Sequence, residues 1–239
     1  MATWQLRPAE HPDLSDSLTH FTGRARESAM VAQSIRELSP KERLDSILTT
    51  GELWPSATYS GGLPAVCFTE STFAGLEYLI GEQGFQPWGL VLDRQWVFDQ
   101  GGAPVWHFRS RDEAEVRGLS PRLQTWAVRL DSNPDRPSDW LHEREWRIPC
   151  ESGVEALVID PAAVRTVIVG DPSWRPTEVE HEARMPVDEN GTEAFDLSVA
   201  VGEVVDSWMG QPDCWAGKPR LCWTTRPGSP GLSELSIYG

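Results

Sequence analysis

The sequence of residues 139–149 is DWLHEREWRIP, and this stretch determines how the rest of the chain is interpreted. If its second half is an extended strand, successive side chains alternate between two faces, so Glu143, Glu145 and Arg147 share one face. The opposite face then holds Arg144, Trp146 and Ile148. The pattern predicts two carboxylates that point into one site. A ladder of surface ion pairs is the alternative interpretation.

Length and composition indicate a folded domain with a large core. The chain has 239 residues, of which 39% are hydrophobic, with twelve tryptophans and seven phenylalanines. It contains no apolar run long enough to cross a membrane, and its first residues lack the basic and apolar regions of a secretory signal. We therefore expect a cytoplasmic protein with no membrane partner.

The four cysteines give no sign of a metal centre. They form no CxxC pair and no zinc-finger spacing with the histidines. We predict reduced thiols, mostly in the core, and no metal site. The cysteines are Cys67, Cys150, Cys214 and Cys222.

The net charge of −15 argues against broad electrostatic capture of nucleic acid, although it allows a local basic groove. Net negative charge is concentrated late in the chain, because residues 151–239 hold 15 of the 36 acidic residues but only 6 of the 21 basic ones. We predict three parts: an N-terminal arm (1–17), a main domain (18–170) and an acidic extension packed on it (171–239).

Hydrophobic periodicity predicts a mixture of helices and strands. Helical spacing over residues 27–50 is interrupted at Ser39, which with Glu42 forms a capping-box pattern, and Gly51 ends the helix that follows. A further short helix is predicted at residues 73–80, and residues 123–130 fit either a strand or a helix. The predicted strands cover residues 18–22, 64–69, 89–98, 104–108, 154–159 and 164–169.

Three short motifs occur in a characteristic order: LTHFT at residues 18–22, VCFTES at 66–71 and EREW at 143–146. In this order and spacing they resemble the ADP-ribosyltransferase superfamily, whose fold is a split β-sandwich that clamps NAD. The strings HFT, SILTTGEL and CFTES resemble the DarT group of DNA ADP-ribosyltransferase toxins. With WGLVLDRQW, GGAPVWHF and EREWRIP added, the chain is similar to the AbiGi-like abortive-infection proteins of phage resistance. The resemblance covers residues 18–149 and implies an α+β, ADP-ribosyltransferase-like split β-sandwich with flanking helices.

The resemblance also implies roles for individual residues. Glu145 is the expected catalytic carboxylate, which stabilises the oxocarbenium-like centre formed when the nicotinamide–ribose bond breaks. Glu143 is the expected base toward the acceptor. His20 is expected to bond a ribose hydroxyl, and Arg24 or Arg26 the pyrophosphate. The implied NAD-binding set is His20, Phe21, Thr22, Arg24, Tyr59, Phe68 and Thr69.

The implied activity is NAD-dependent mono-ADP-ribosyl transfer by a bacterial toxin or anti-phage defence effector. The acceptor stays open between DNA, RNA and protein, and a cognate antitoxin is an implied partner. Two alternatives remain. One is a catalytically idle member of the fold that acts as an antitoxin or binding protein in an abortive-infection system. The other is an RNA-processing nuclease or phosphotransferase that uses His20, Glu143 and arginines.

Overall fold

The computed structural model describes residues 5–6, 13–24, 33–132, 138–151, 153, 156–187, 202–225 and 230–235. Its helices are α1 (Gln33–Arg36), α2 (Pro40–Thr50), α3 (Phe73–Gly81), α4 (Arg94–Asp99), α5 (Glu113–Arg117) and α6 (Pro121–Thr125). The first seven strands are β1 (Ser17–Phe21), β2 (Glu52–Leu53), β3 (Ala65–Thr69), β4 (Gly89–Asp93), β5 (Ala103–Pro104), β6 (Trp106–Phe108) and β7 (Ala127–Arg129). The others are β8 (Glu145–Pro149), β9 (Leu157–Val158), β10 (Val164–Val169), β11 (Val179–Val187), β12 (Gly202–Gly210), β13 (Arg220–Thr224) and β14 (Gly231–Leu235). The predicted α+β class is confirmed at this level.

One mixed sheet of eight strands organises the molecule, in the order β14-β13-β10-β4-β1-β3-β8-β5. Its neighbours are antiparallel except β10 and β13, which run parallel. The remaining strands form three two-stranded sheets, β11 with β12, β2 with β9 and β6 with β7. The β11–β12 hairpin therefore stands apart from the main sheet.

Both faces of the main sheet are covered by apolar clusters. Leu90 of β4 and Val167 of β10 belong to a large cluster with α2, whereas their neighbours Val91 and Ile168 belong to a second cluster with α3. Since adjacent residues of a strand point to opposite faces, the two clusters lie on opposite sides of the sheet.

Local signals placed α2 correctly. The Ser39 side chain accepts a hydrogen bond from the Glu42 backbone and the Glu42 side chain accepts one from the Ser39 backbone, which is the predicted capping box. Gly51 ends the helix in the left-handed conformation, at φ 69°. Residues 27–32 of the predicted helical region lie outside the described residues.

Three predicted element boundaries were wrong. The strand predicted over residues 89–98 ends at Asp93, because the Asp93 side chain accepts a hydrogen bond from the backbone of Trp96 and caps α4. The predicted strand at residues 104–108 is divided into β5 and β6. In the stretch 139–149 the strand begins only at Glu145, because a 3-10 turn, Leu141–Glu143, and a left-handed Arg144 precede it.

The C-terminal third contributes to the main sheet. β13 pairs with β10 through Val167–Val169, and β14 pairs with β13. The domain boundary predicted at residue 170 therefore lies within one sheet, because β13, which follows this residue, is hydrogen-bonded to β10, which precedes it.

Most of the predicted arm, residues 1–17, lies outside the described residues, apart from residues 5–6 and 13–17. Within the described part of the chain, no helix is long and apolar enough to cross a membrane.

Gly89 lets β4 lie close to β1, and a side chain there should destabilise the fold. A Cβ atom at Gly89 would collide with the backbone carbonyl of His20, whereas one at Gly202 would meet only a Val187 methyl at 3.8 Å. We expect Gly89→Ala to lower the free energy of unfolding by about 1–3 kcal/mol, and Gly202→Ala to change it by less than about 1 kcal/mol. Urea unfolding followed by tryptophan fluorescence measures both. Equal stabilities of the two variants would contradict this account.

Candidate functional site

The β1 and β3 strands separate next to His20. β1 pairs with β4 at five positions but with β3 only at Thr19, opposite Thr69. Beyond that pair, the His20 ring replaces the backbone ladder, since its Nδ1 donates to the carbonyl oxygen of Cys67 at 2.9 Å. The ring packs edge-on against Phe68, with a centroid distance of 5.8 Å. The backbone pairing of β1 with β3 is therefore short, and the His20 side chain adds a hydrogen bond between the two strands beyond it.

His20 is a neutral hydrogen-bond acceptor at its free nitrogen. Burial lowers the pKa of His20, and the bond to the Cys67 carbonyl only partly offsets that effect. Because a carbonyl can only accept, Nδ1 carries the proton, and Nε2 of the neutral ring presents a lone pair. The described residues give Nε2 no hydrogen-bond partner. His20 can therefore accept a hydrogen bond from a ligand hydroxyl.

Glu145 opens β8 directly opposite Thr69 of β3. Its carboxylate forms two hydrogen bonds with Arg147, from Nε to Oε1 at 2.8 Å and from Nη2 to Oε2 at 2.8 Å. Arg147 also donates to the Ser60 hydroxyl at 2.9 Å and to the Thr125 carbonyl. Burial alone would lower the pKa of Arg147, but hydrogen bonding to Glu145 and the charge of Glu145 raise it above its ordinary value. The predicted sharing of a face by Glu145 and Arg147 is confirmed, and it produces a fixed ion pair.

Glu143 lies in the turn before β8 and has its own arginine. Arg24 donates to both carboxylate oxygens, at 2.9 and 2.7 Å. The Glu143 side chain is 7% exposed and that of Arg24 is 43% exposed. The Arg24 guanidinium also lies 4.2 Å from the ring centroid of Phe85. The sequence predicted that the two carboxylates share one strand face, and this is wrong. Each carboxylate is neutralised by its own arginine.

Thr69 holds this turn in place. Its hydroxyl donates to the backbone carbonyl of Glu143 and, because its only proton is used there, accepts from the Ser71 hydroxyl at 2.8 Å. The next residue of the turn, Arg144, has φ 44° and ψ 51°. This left-handed conformation is costly for a residue with a side chain, and such backbone conformations cluster at functional sites.

Two further groups lie near Glu145. The Cys67 thiol contacts the Glu145 carboxylate, and burial together with the charge of Glu145 raises the pKa of Cys67. Burial lowers the pKa of His107, while the charge of Glu145 opposes that shift. The sequence predicted no role for His107, because no local spacing connects a residue of β6 with β8. Within the described residues, no three His, Cys, Asp or Glu side chains converge as a metal site would require.

The other residues of the implied NAD-binding set are placed unevenly. Phe68 is 3% exposed in the core, so its ring is not available to a ligand. Phe21 packs against Phe85 at 5.0 Å, and the single proton of the buried Thr22 hydroxyl is shared between the carbonyl oxygens of Pro40, at 2.7 Å, and Trp88, at 3.0 Å. Tyr59 is 84% exposed beside Ser60. Arg26 lies outside the described residues.

A cleft of about 490 Å³ opens beside Arg24. It extends from the end of β1 to the N-terminal half of α2. Its lining residues are Arg24, Arg36, Glu37, Leu38, Ser39, Pro40, Glu42, Arg43 and Gln86. Three of these are arginines and two are glutamates, so the lining has a small excess of positive charge beside Arg24. It is large enough for part of a nucleotide-sized ligand.

No known protein-family model matches this sequence, and no curated protein or solved structure matches it either. The functional interpretation therefore depends on the geometry of the site and on the residue types in it.

Removal of the Thr69 hydroxyl should destabilise the turn before β8. Thr69 is 4% exposed, so Thr69→Val would leave the buried Glu143 carbonyl without its partner. We expect a loss of about 1–3 kcal/mol in the free energy of unfolding. Thr69→Ser keeps the hydroxyl and should lose less. Chemical denaturation compares the two, and a valine variant as stable as the serine variant would show that the bond does not stabilise the turn.

The stability of the protein should fall on acidification in a way that depends on His20. The pKa of His20 is lower in the folded protein than its ordinary value, so below about pH 6.5 the unfolded state binds a proton that the folded state resists. Its contribution to the free energy of unfolding should decline by up to about 1.4 kcal/mol per pH unit. The decline begins as the pH falls through the unfolded-state pKa and ends at the folded-state pKa. His20→Gln should show a shallower decline between pH 7.5 and pH 5, and parallel curves for the two proteins would contradict the lowered pKa of His20 in the folded protein.

Proposed function

We propose that this site binds NAD and transfers its ADP-ribose group to an acceptor. The observation that carries the proposal is the adjacency of β1, β3 and β8, in which Thr19, Thr69 and Glu145 form one row across the three strands and His20 follows Thr19 where the pairing of β1 with β3 ends. Three segments far apart in sequence thereby place a neutral acceptor nitrogen, an anchoring hydroxyl and a carboxylate on three neighbouring strands. This is the combination that the sequence motifs imply for NAD cleavage.

Glu145 is the carboxylate that faces the reacting ribose. When the bond between nicotinamide and C1 of the ribose breaks, its electron pair leaves with the neutral nicotinamide and positive charge develops on the sugar. A carboxylate close to that charge lowers the barrier. Arg147 uses one lone pair of each oxygen, so the remaining lone pairs of Glu145 can accept from a ribose hydroxyl. Arg147 therefore fixes the carboxylate in one orientation.

His20 and Arg24 bind the rest of the cofactor in this proposal. The Nε2 lone pair of His20 accepts from a ribose hydroxyl. Arg24 lines the cleft beside α2, and its side chain is 43% exposed, so it is accessible to a pyrophosphate oxygen. Binding of phosphate by Arg24 releases Glu143 from its ion pair. The freed carboxylate then takes the proton of the acceptor nucleophile as that atom bonds to C1 of the ribose.

The proposed biological role is that of a bacterial toxin or phage-defence effector, with nucleic acid or protein as acceptor. The net charge of −15 disfavours long-range attraction of nucleic acid. A nucleic-acid acceptor would therefore be recognised by local contacts with its bases and by the few arginines of the cleft.

A catalytically idle NAD-binding protein is the second candidate, and a specific observation favours it. Both carboxylates are already neutralised by arginines, through Arg24 with Glu143 and Arg147 with Glu145. A carboxylate that shares its charge with a buried arginine stabilises an oxocarbenium-like centre less than a free one. No comparable observation favours the nuclease, because Glu143 bonds to Arg24 and His20 bonds to Cys67, and not to each other.

Turnover by the wild-type protein separates the two candidates, and Glu145→Gln tests the catalytic role of the carboxylate. If the carboxylate acts mainly in the transition state, the variant should retain NAD binding and lose on the order of a hundredfold to a thousandfold in turnover. NAD glycohydrolysis measures turnover, and the shift of the melting temperature in millimolar NAD measures binding. Glu151→Gln is the matched control, since Glu151 pairs with Arg122 on the surface, where both side chains are about half exposed or more.

The outcomes are distinct. A wild-type thermal shift without NAD consumption or acceptor labelling would favour the idle binding protein. Absence of both shift and turnover would contradict both candidates. Full activity of Glu145→Gln would show that the reacting ribose lies elsewhere. His20→Ala should lose most of the NAD-induced shift in either case.

A further inference from the structure

A second cavity, of about 330 Å³, lies at the start of β13. It is separate from the site of His20 and Glu145. Arg220, at the cavity, is in register with Val167, which pairs with Leu90, which pairs with His20. Three strand spacings, about 14 Å, therefore separate Arg220 from His20, and the two residues between them are fully buried. The cavity is lined by Arg175, Gln211, Trp215, Ala216, Gly217 and Arg220.

Arg220 is a buried cation without a counterion. It is 7% exposed, and its guanidinium stacks on the indole of Trp215 at 4.7 Å from the ring centroid. Its Nε is buried and has no hydrogen-bond partner, and no described carboxylate forms an ion pair with it. A buried charge without a hydrogen-bonded partner is strongly unfavourable. An anion in the cavity would supply the missing partner.

A second arginine faces the same space. Arg175 donates from Nη1 to the carbonyl oxygens of Pro172, at 3.1 Å, and Trp174, at 2.9 Å, which holds its guanidinium at the rim of the cavity. Burial and the charge of Arg175 lower the pKa of Arg220. Two cations at one cavity repel each other, so an anion bound between them relieves repulsion as well as desolvation.

We propose that this cavity binds a phosphate group. A phosphate group has at least three acceptor oxygens, whereas a carboxylate has two, so a phosphate can accept from both guanidinium groups, each of which presents paired N–H donors. The side chain of Gln211 lines the wall, with a buried Oε1 that has no partner. Rotation of this amide by 180° exchanges its oxygen and its NH2 group. The NH2 group then takes the position of Oε1 and becomes a third donor. The site is independent of the proposed NAD chemistry.

The volume of the cavity exceeds what a bare phosphate fills, so a phosphate monoester and inorganic phosphate are both suitable sources of the group. On the exposed side, Gly217 has φ 67° and no atom within 4 Å of the position of a Cβ. An organic group attached to the phosphate therefore has an open route toward solvent.

Calorimetric titration of the full chain tests the proposal. Inorganic phosphate, glycerol 3-phosphate and acetate are titrated at constant ionic strength, which removes non-specific screening effects. We expect saturable phosphate binding whose Kd weakens about tenfold to a hundredfold in Arg220→Gln, since a charge-assisted hydrogen bond is lost. Arg184→Gln is the control, because Arg184 is an arginine of β11 that is 66% exposed and does not line the cavity. Its phosphate affinity should equal that of the wild type.

Each outcome decides the proposal. Tighter binding of glycerol 3-phosphate supports a monoester, and equal binding supports free phosphate as the ligand. Acetate binding as tight as phosphate binding overturns the phosphate assignment, and so does unchanged phosphate affinity in Arg220→Gln. If Arg220→Gln does not fold, the exposed Arg175→Gln variant replaces it, and full phosphate affinity in that variant overturns the proposal. None of these results depends on NAD turnover, so the two proposals fail separately.

Discussion

The hydrogen bond from the Thr69 hydroxyl to the Glu143 carbonyl joins the end of β3 to the turn that begins β8. Because Thr69 also lies opposite Glu145 in the sheet, one residue fixes both the turn and the first residue of the strand. Arg144, between the two glutamates, has to adopt a left-handed backbone, and this reversal sends the two carboxylates to different arginines. The electrostatic arrangement of the site follows from that short connection.

The buried ion pair of Glu145 and Arg147 determines geometry more than it increases stability. Their side chains are 15% and 6% exposed, so both charges have lost most of their water. Loss of one partner from such a pair costs about 3–5 kcal/mol, although replacement of both by apolar residues is often neutral. The pair therefore orients the carboxylate. Arg220 contrasts with it, since it is equally buried but has no carboxylate partner among the described residues, and this difference distinguishes an internal ion pair from a site for an external anion.

Parts of the fold were predictable because their causes are local. Ser39, Glu42 and Gly51 lie within thirteen residues of one another, and capping chemistry alone sets both ends of α2. The alternation of Glu145, Trp146 and Arg147 likewise predicts a strand with Glu145 and Arg147 on one face, as observed, although Arg147 is buried as well as Trp146. The prediction of secondary structure was wrong from residue 94 onward. Apolar residues there continue the pattern of a strand, but the Asp93 carboxylate caps a helix, and composition alone does not distinguish a strand from a short capped helix.

By itself the sequence determined the residue types of the site and the order of its motifs, because those are properties of the chain. Tertiary structure decided which of them meet. The partner of Glu143 is 119 residues away, at Arg24, and the partner of the His20 ring is the carbonyl of Cys67, 47 residues away. Likewise, Arg220 becomes a buried cation only because β13 joins β10. Periodicity predicts which face of a strand a side chain occupies. Its burial and its charge partner depend on the register between strands of the sheet, and only long-range hydrogen bonds fix that register.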